Sequence, residues 1–540
     1  MVSLIISSFI TNFIFLQSGK VYNKLINKDE EDECIFLYGA IFISFLSLLI
    51  NFFLPLNFTV NTIVYIIIFL LSFYLKLFLN KKDFFYLIII SIISISLVLF
   101  DTVYRPDAGL YHIPYIKIIN SEKIIFGLSN LHSRFGHISI MQYLSAINNN
   151  LIFNNGISIA LGSFCSFFII FFMRRVYSIK NKKINISDIF AIFVLVYIMY
   201  KVIRFGEYGN DAPAHLISFF IIFKLLEKQR INFNKFKNLY LISIFAFLIK
   251  FSKIFLLIFP AILFFKNKYK FKPTVISLPT IFLVLWMLKN IITTSCIIYP
   301  IKNTCIQSGW LNNYQIEKAS LEAEAWSKDW PNRIDRNISM KKYISEFNWL
   351  QSWLKTHFVI FIKLLIPYIF VCLILIMYLK NFKGVNLVNK ENKFNIKMIA
   401  FVSLISTSFF LIKYPIYRYG YSELITLIII FLMTLNPRYS TKNIKKISKN
   451  LFILFLLIFS IKQTEKYINY YNQRPANPQI MYNDVKFINY NFKKIYVNAK
   501  EFIYVSKNVE CKYNYNLCTP YKPNKIDIKN YYSYKFIVKK

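Results

Sequence analysis

The sequence predicts an all-α polytopic membrane protein, and three observations carry that prediction. Apolar residues make up 56% of the chain and gather into runs close to the ~20 residues that a bilayer-spanning helix needs. The runs lack the alternation of a transmembrane barrel. Short lysine- and arginine-rich stretches recur between them, the pattern of cytoplasmic loops under the positive-inside rule.

Taken in order, the runs lie near 2–17, 34–54, 60–79, 84–100, 151–173, 186–203, 213–226, 239–265, 273–292, 358–379, 396–412, 421–435 and 450–462, about 12–13 spans. The first lacks a basic start and a small-residue cleavage site, so it reads as a span or embedded anchor instead of a signal peptide. Residues 1–462 form one transmembrane domain. Residues 463–540, with β-prone pieces such as KKIYVNA, EFIYVS and YKFIV, form a small C-terminal α/β tail. The net charge of +39 is spread over many short clusters and forms no single basic face, so no nucleic-acid partner is expected.

The same clusters orient the spans. Lys76, Lys81 and Lys82 place the loop before the fourth span inside, and Arg174, Arg175, Lys180, Lys182 and Lys183 do so one outward loop later. Residues 239–265 break the alternation. Basic clusters flank them on both sides and Lys250 and Lys253 interrupt their middle, so they read as a broken or re-entrant hairpin. The loops near 101–150, 204–215, 293–357 and 413–420, with the tail, then share the extracytoplasmic side.

Those loops hold the residues capable of chemistry. Asp101–His137 contains Asp101, Arg105, Asp107, Tyr111, His112, Lys117, His132 and Arg134, and three of the five histidines of the chain. Asp107, at the outer end of a span, is placed to act as a general base. Arg105 and His112 suit an anionic phosphate, which an arginine grips with a planar fork. The plainer alternative is a solvated loop with an incidental Asp–Arg pair. His132 and Arg134, in NLHSRFG, are either phosphate or hydroxyl ligands or anchors of the loop at the headgroups.

The segment EYGNDAPAH adds Glu207, Asp211 and His215. Asp211 and His215 are spaced to share a helix face, although Asp211, with Pro213 behind it, reads first as an N-cap. Two carboxylates and a histidine can hold a divalent ion, but the spacing is not diagnostic and no metal or other cofactor is indicated. Trp310, Trp326, Trp330, Trp349 and Trp353 fall in the loop 293–357. The pairs Trp326/Trp330 and Trp349/Trp353 predict interfacial helix stripes, with sugar stacking as the alternative. The stretch YQIEKASLEAEAWSKDW, with Glu317, Glu322 and Glu324, predicts a surface helix. Lys413 and Arg418, in KYPIYRYGYSE, sit at the mouth of a helix pair, as phosphate ligands or headgroup contacts. Cys296/Cys305 and Cys511/Cys518 can form disulfides on an oxidising side. Cys34, Cys165 and Cys372 read as buried apolar residues.

The layout resembles the multi-pass glycosyltransferases of the GT-C superfamily. More narrowly, DAGLYHIPYIKII, GLSNLHSRFG, KNIITTSCIIYP, YRYGY and CKYNYNLCTPY resemble a family of large bacterial membrane proteins associated with surface polysaccharide synthesis. The narrow resemblance runs from about residue 95 onward. It implies a multi-pass protein of the bacterial cytoplasmic membrane that transfers a sugar from a polyprenyl-phosphate-linked donor on the outer face. Asp107 would be the catalytic base, with Arg105, Tyr111, His112, His132, Arg134, Asp211, His215 and Arg418 binding substrate. Two features depart from the superfamily: about four spans precede Asp107, and Ala108, not a second acid, follows it. A polysaccharide polymerase or ligase, or a transporter of lipid-linked glycan, are the alternatives.

Overall fold

The computed structural model describes residues 2–27, 32–100, 107–149, 157–202, 209–227, 232–268, 273–388, 390–435, 438–473, 492–498, 501–506, 511, 517–519 and 526–539. Asp101, Arg105 and Glu207 lie outside them.

The chain begins with α1 (Val2–Tyr22), α2 (Ile35–Asn51), α3 (Phe58–Tyr74) and α4 (Lys81–Val98). The short helices α5 (Ile113–Ser121) and α6 (Ile140–Ala146) follow. The bundle continues through α7 (Ile157–Ser178), α8 (Ile186–Tyr197), α9 (Asp211–Leu226), α10 (Phe233–Ile249), α11 (Ile258–Lys266) and α12 (Pro273–Thr294). After α13 (Asn313–Ser327), α14 (Met340–Ser345) and α15 (Leu350–Trp353) come α16 (Val359–Leu379), α17 (Lys390–Lys413), α18 (Tyr417–Leu435) and α19 (Thr441–Gln473).

Helices α1 and α2 meet backbone to backbone. A methyl group on Gly39 would lie 1.7 Å from the Phe15 carbonyl oxygen, and one on Gly19 would lie 1.8 Å from that of Ile35. Only glycine permits so close an approach. Hydroxyls join α1 to α4, with Ser8 Oγ 2.6 Å from Ser94 Oγ and Asn12 Nδ2 donating to Ser91 Oγ at 3.1 Å.

Among the described residues, five helical stretches are long and apolar enough to cross a membrane: Leu4–Ile26, Ile159–Asn181, Leu350–Leu379, Asn392–Lys413 and Tyr417–Leu435. That is fewer than the apolar runs suggest, and helix length explains part of the difference. Helices α9 and α10 have 16 and 17 residues, and α8 continues only through the π-helical turn Ile198–Val202, about 24–26 Å of helix each against a hydrocarbon core of ~30 Å. Every residue of α8 is buried, so its apolarity serves the bundle interior.

The expected interruption within 239–265 is present. Helix α10 ends at Ile249, Lys250 is extended (φ −152°, ψ 125°), and a 3₁₀ segment, Phe251–Leu257, leads into α11. The surface helix expected in the large loop is α13, capped by the Asn312 side chain, which accepts from the Gln315 amide.

The C-terminal tail differs from the expected α/β unit. Helix α19 runs past residue 463 to Gln473, and the described residues beyond it are strands. After β1 (Lys380–Asn386) and β2 (Arg438–Tyr439), an antiparallel pair, the tail contains β3 (Phe492–Tyr496), β4 (Phe502–Ser506) and β5 (Cys518–Thr519) in one sheet. A hairpin of β6 (Ile526–Tyr531) and β7 (Tyr534–Lys539) follows. The tail docks on the segment after Asp107. Phe126 exchanges backbone hydrogen bonds with Lys535 and Ile537, Asn130 Nδ2 donates to the Ile537 carbonyl at 2.9 Å, and the Cys511 amide donates to the Gly109 carbonyl at 3.1 Å.

Candidate active site around Arg418

Asp107 precedes a wide π-helical turn, Ala108–His112, that leads into α5 with Pro114 in its first turn. Its carboxylate caps no backbone amide and its side chain is 42% exposed. His112 is buried, with Nδ1 2.7 Å from Gln142 Nε2. An amide nitrogen can only donate, so Nδ1 accepts and the ring hydrogen lies on Nε2. Gln142 Oε1 in turn accepts from the Ser139 amide in the capping box of α6. The turn carrying Asp107 is thereby tied to α6. Burial pushes the His112 imidazole down to about 4 against the opposing pull of Asp107 and Asp211, so the ring is neutral.

Arg418 is the point of convergence. Its Nη2 lies 3.7 Å from Asp107 Oδ2 and its Nε 3.9 Å from Asp211 Oδ2. Asp211 also pairs with Lys250 at the break after α10. Tyr419 completes the group: its hydroxyl is 3.2 Å from Arg418 Nη2, and Lys250 Nζ sits 4.0 Å above its ring. The two carboxylates thus differ. Asp211 is mostly buried and meets two cations, whereas Asp107, 42% exposed, has one long ion-pair contact among the described residues.

The expected capping role of Asp211 is corrected. It is the first residue of α9, Asn210 occupies the N-cap position, and the Asp211 carboxylate turns to Lys250. His215 follows one turn later, fully buried, and makes no approach to Asp107. Its Nδ1 is 2.7 Å from Ser422 Oγ, its Nε2 2.9 Å from the Arg418 carbonyl, and its ring stacks on Tyr421.

Beneath Asp211, Lys250 and Arg418 lies a second tier supplied by the same three segments. Lys253 Nζ is 2.6 Å from Glu423 Oε1, 2.9 Å from Ser422 Oγ and 3.0 Å from His215 Nδ1. Each segment gives one residue or pair to each tier: Asp211 and His215, Lys250 and Lys253, Arg418 and Ser422/Glu423.

Arg134 borders the cluster on the other side. It lies in the 3₁₀ turn Ser133–Gly136, half-buried, its guanidinium 5.9 Å from the Tyr111 ring centre. Among the described residues it pairs with no carboxylate. His132, beside Phe135, is pushed down to about 4 by burial and by Arg134. Burial, with Asp107 adding to it, pushes the Tyr111 phenol up, so it remains a hydrogen-bond donor. Among the described residues, Asp107 and Asp211 balance Arg418 and Lys250 in charge, and Arg134 adds a positive charge. Such a site favours an anion. Among the described residues no group of three or more histidine, cysteine or acidic side chains is arranged to hold a metal ion.

Of the two tryptophan pairs, Trp349 and Trp353 meet one helical turn apart, with ring centres 6.1 Å from each other, whereas Trp326 and Trp330 do not share a helix. Helix α13 ends at Ser327 and Asp329 is left-handed (φ 67°), which places Trp330 in a separate 3₁₀ turn from Trp326. Trp349 is buried, and Trp353 Nε1 donates to the Pro415 carbonyl at 2.6 Å. With Ser327 Oγ donating to the Lys413 carbonyl and Glu324 3.3 Å from Lys413, the large loop packs on the segment that leads to Arg418.

Sequence reasoning picked out Asp107, Asp211 and Arg418 separately, but missed Gln142, Tyr419, Ser422 and Glu423 and read Lys250 and Lys253 only as interruptions. An ionisable residue inside an apolar run was the available signal for Lys250, Lys253 and Glu423.

The molecule is therefore a multihelical protein with an ionic cluster where α9, α10 and α18 meet the turn before α5. The chain belongs to the family described as Domain of unknown function (DUF8201), whose match covers residues 1–425. No curated protein and no solved structure matches it. The matched region includes both tiers of the cluster and ends before the tail.

Proposed function

We propose that this chain is a multi-pass protein of the bacterial cytoplasmic membrane that transfers a glycosyl unit from a polyprenyl-phosphate-linked donor on the outer face, in surface glycan synthesis. Membrane embedding is supported by the outward side of α16, where Ile366, Phe370 and Met377 are 58, 63 and 68% exposed. The outward orientation is supported by the disulfides Cys296–Cys305 and Cys511–Cys518, both in segments assigned to that side.

The observation that carries the reaction is the meeting of open Asp107 with Arg418, beside the cation Arg134. In this reading the donor phosphate enters the Arg418 fork and displaces Asp107, which then accepts the proton of an acceptor hydroxyl. The acceptor oxygen bonds to the anomeric carbon as the bond from that carbon to the phosphate oxygen breaks. The electron pair leaves with the phosphate, whose charge Arg418 and Arg134 hold. A polymerase or ligase would use the same groups with a longer glycan. Transport of lipid-linked glycan is the second reading, favoured by the break at Lys250, since interrupted helices line substrate paths in transporters.

The test uses membranes containing the full chain, a labelled polyprenyl-phosphate sugar and lipid acceptors. One labelled sugar on the acceptor, absent with Asp107→Asn, is the expected result. Movement of donor across the bilayer without transfer, unchanged in Asp107→Asn, would replace this reading with transport.

A further inference from the structure

We infer that His215 is the positioning residue for Arg418, because its imidazole stands in for a missing rung of the helix that carries that arginine. The inference rests on the reading of Arg418 as a phosphate ligand.

In an unbroken helix the Ser422 amide would donate to the Arg418 carbonyl four residues earlier. In α18 it does not. Gly420 leaves the helical region (φ −132°, ψ 15°), and a methyl group there would lie 2.4 Å from the Phe410 ring. His215 enters the gap from α9. Its Nε2 is 2.9 Å from the Arg418 carbonyl oxygen and its Nδ1 3.3 Å from the Ser422 amide nitrogen. A carbonyl only accepts, so Nε2 carries the hydrogen and Nδ1 accepts from Ser422, whose hydroxyl oxygen is 2.7 Å and amide nitrogen 3.3 Å away. One ring thus closes both ends of the break, as inserted side chains do where helices kink.

The surroundings hold that ring in one orientation and one tautomer. Lys253 Nζ, 3.0 Å from Nδ1, presents only hydrogens, which keeps the ring hydrogen on Nε2. Tyr421 stacks on the ring with centres 3.6 Å apart. The single hydroxyl hydrogen of Ser422 is shared between His215 Nδ1 at 2.7 Å and Glu423 Oε2 at 2.9 Å, and Glu423 Oε1 receives Lys253. Among the described residues, the titratable groups facing His215 are Lys253 from the segment after α10 and Tyr421 and Glu423 from α18. Together they fix the backbone of Arg418 while its side chain stays half exposed between Asp107 and Asp211. His215 touches no substrate; it acts through the Arg418 carbonyl.

The experiment measures the affinity of the full chain in nanodiscs for farnesyl phosphate, a short polyprenyl monophosphate. Arg418→Ala is expected to weaken binding tenfold or more. His215→Ala should weaken it as much, and the double variant no further, because both remove the same contact. His215→Gln, whose amide offers one donor and one acceptor, should bind within about threefold of the parent. Should His215→Ala not fold, His215→Asn replaces it: one methylene shorter, it spans only one of the two bonds and should bind like Arg418→Ala. Additive losses, parental binding by His215→Ala, or equal binding by the Asn and Gln variants would overturn the positioning role while leaving Arg418 as a phosphate ligand. Parental binding by Arg418→Ala would instead sink the phosphate reading, and this inference with it.

Discussion

Lys253 and Glu423 form an ion pair of 2.6 Å inside the helical bundle, with the lysine fully buried and the carboxylate side chain only 10% exposed. A charge so placed is tolerated because it is paired and hydrogen-bonded. Losing one partner strands the other, at a cost of about 3–5 kcal/mol, whereas replacing both with apolar groups of similar volume is often neutral.

Lys253→Met and Glu423→Leu are therefore each expected to lower the thermal unfolding midpoint sharply, and the double variant to recover most of the loss. Equal and additive losses would show that the pair is not a coupled unit. If the tier serves to register α9, the segment after α10 and α18, the recovered double variant will still bind farnesyl phosphate weakly.

This pair also marks how far the sequence can be read. The apolar runs correspond to helices throughout, and two lysines inside one run announced the break at Lys250. Depth within the bundle was not legible: every residue of α8 is buried, and interior helices of a large bundle are as apolar as lipid-facing ones. Asp107, Asp211 and Arg418 stood out as polar residues at helix ends, but each is more than 100 positions from the next and nothing local says that they meet. Glu423 was hidden for a related reason, since its partner lies 170 positions away. The Trp326/Trp330 pair misled because spacing alone does not reveal the left-handed Asp329 between them.

Three histidines predict an acid-sensitive fold. Burial lowers His112 and His132 to about 4 and His137 to about 3, with Arg134 adding to the effect on the last two. In the unfolded chain each takes up a proton near pH ~6.5. The unfolded state therefore binds more protons below that value, so stability is full above pH ~6.5 and falls as the pH drops toward the folded values. Each contributes at most about 1.4 kcal/mol per pH unit. Unfolding midpoints taken between pH 7.5 and 4.5 should decline, and less steeply in His137→Gln. A flat profile in the parent chain would contradict the burial of these rings.

The cysteines give a chemical check on the fold. Cys34, Cys165 and Cys372 are buried thiols outside any disulfide, while the other four form Cys296–Cys305 and Cys511–Cys518. The native chain should resist maleimide. Denaturation without reductant should expose three reactive thiols, and with reductant all seven. Opening Cys511–Cys518 by Cys511→Ser should loosen the tail by about 2–3 kcal/mol and weaken its hold on Gly109. More than three thiols without reductant would rule out one of the pairings.

The measurement that bears most directly on the central claim is the lipid-linked glycan of cells expressing the parent chain, Asp107→Asn or Arg418→Ala, with the amount of folded protein matched. A general base contributes about 100- to 10,000-fold to a rate. Asp107→Asn should therefore leave a folded protein and cause the unglycosylated acceptor to accumulate, as should Arg418→Ala. Unchanged glycan in both variants would contradict the account and reduce the meeting of Asp107 and Arg418 to an ion pair at the edge of the bundle.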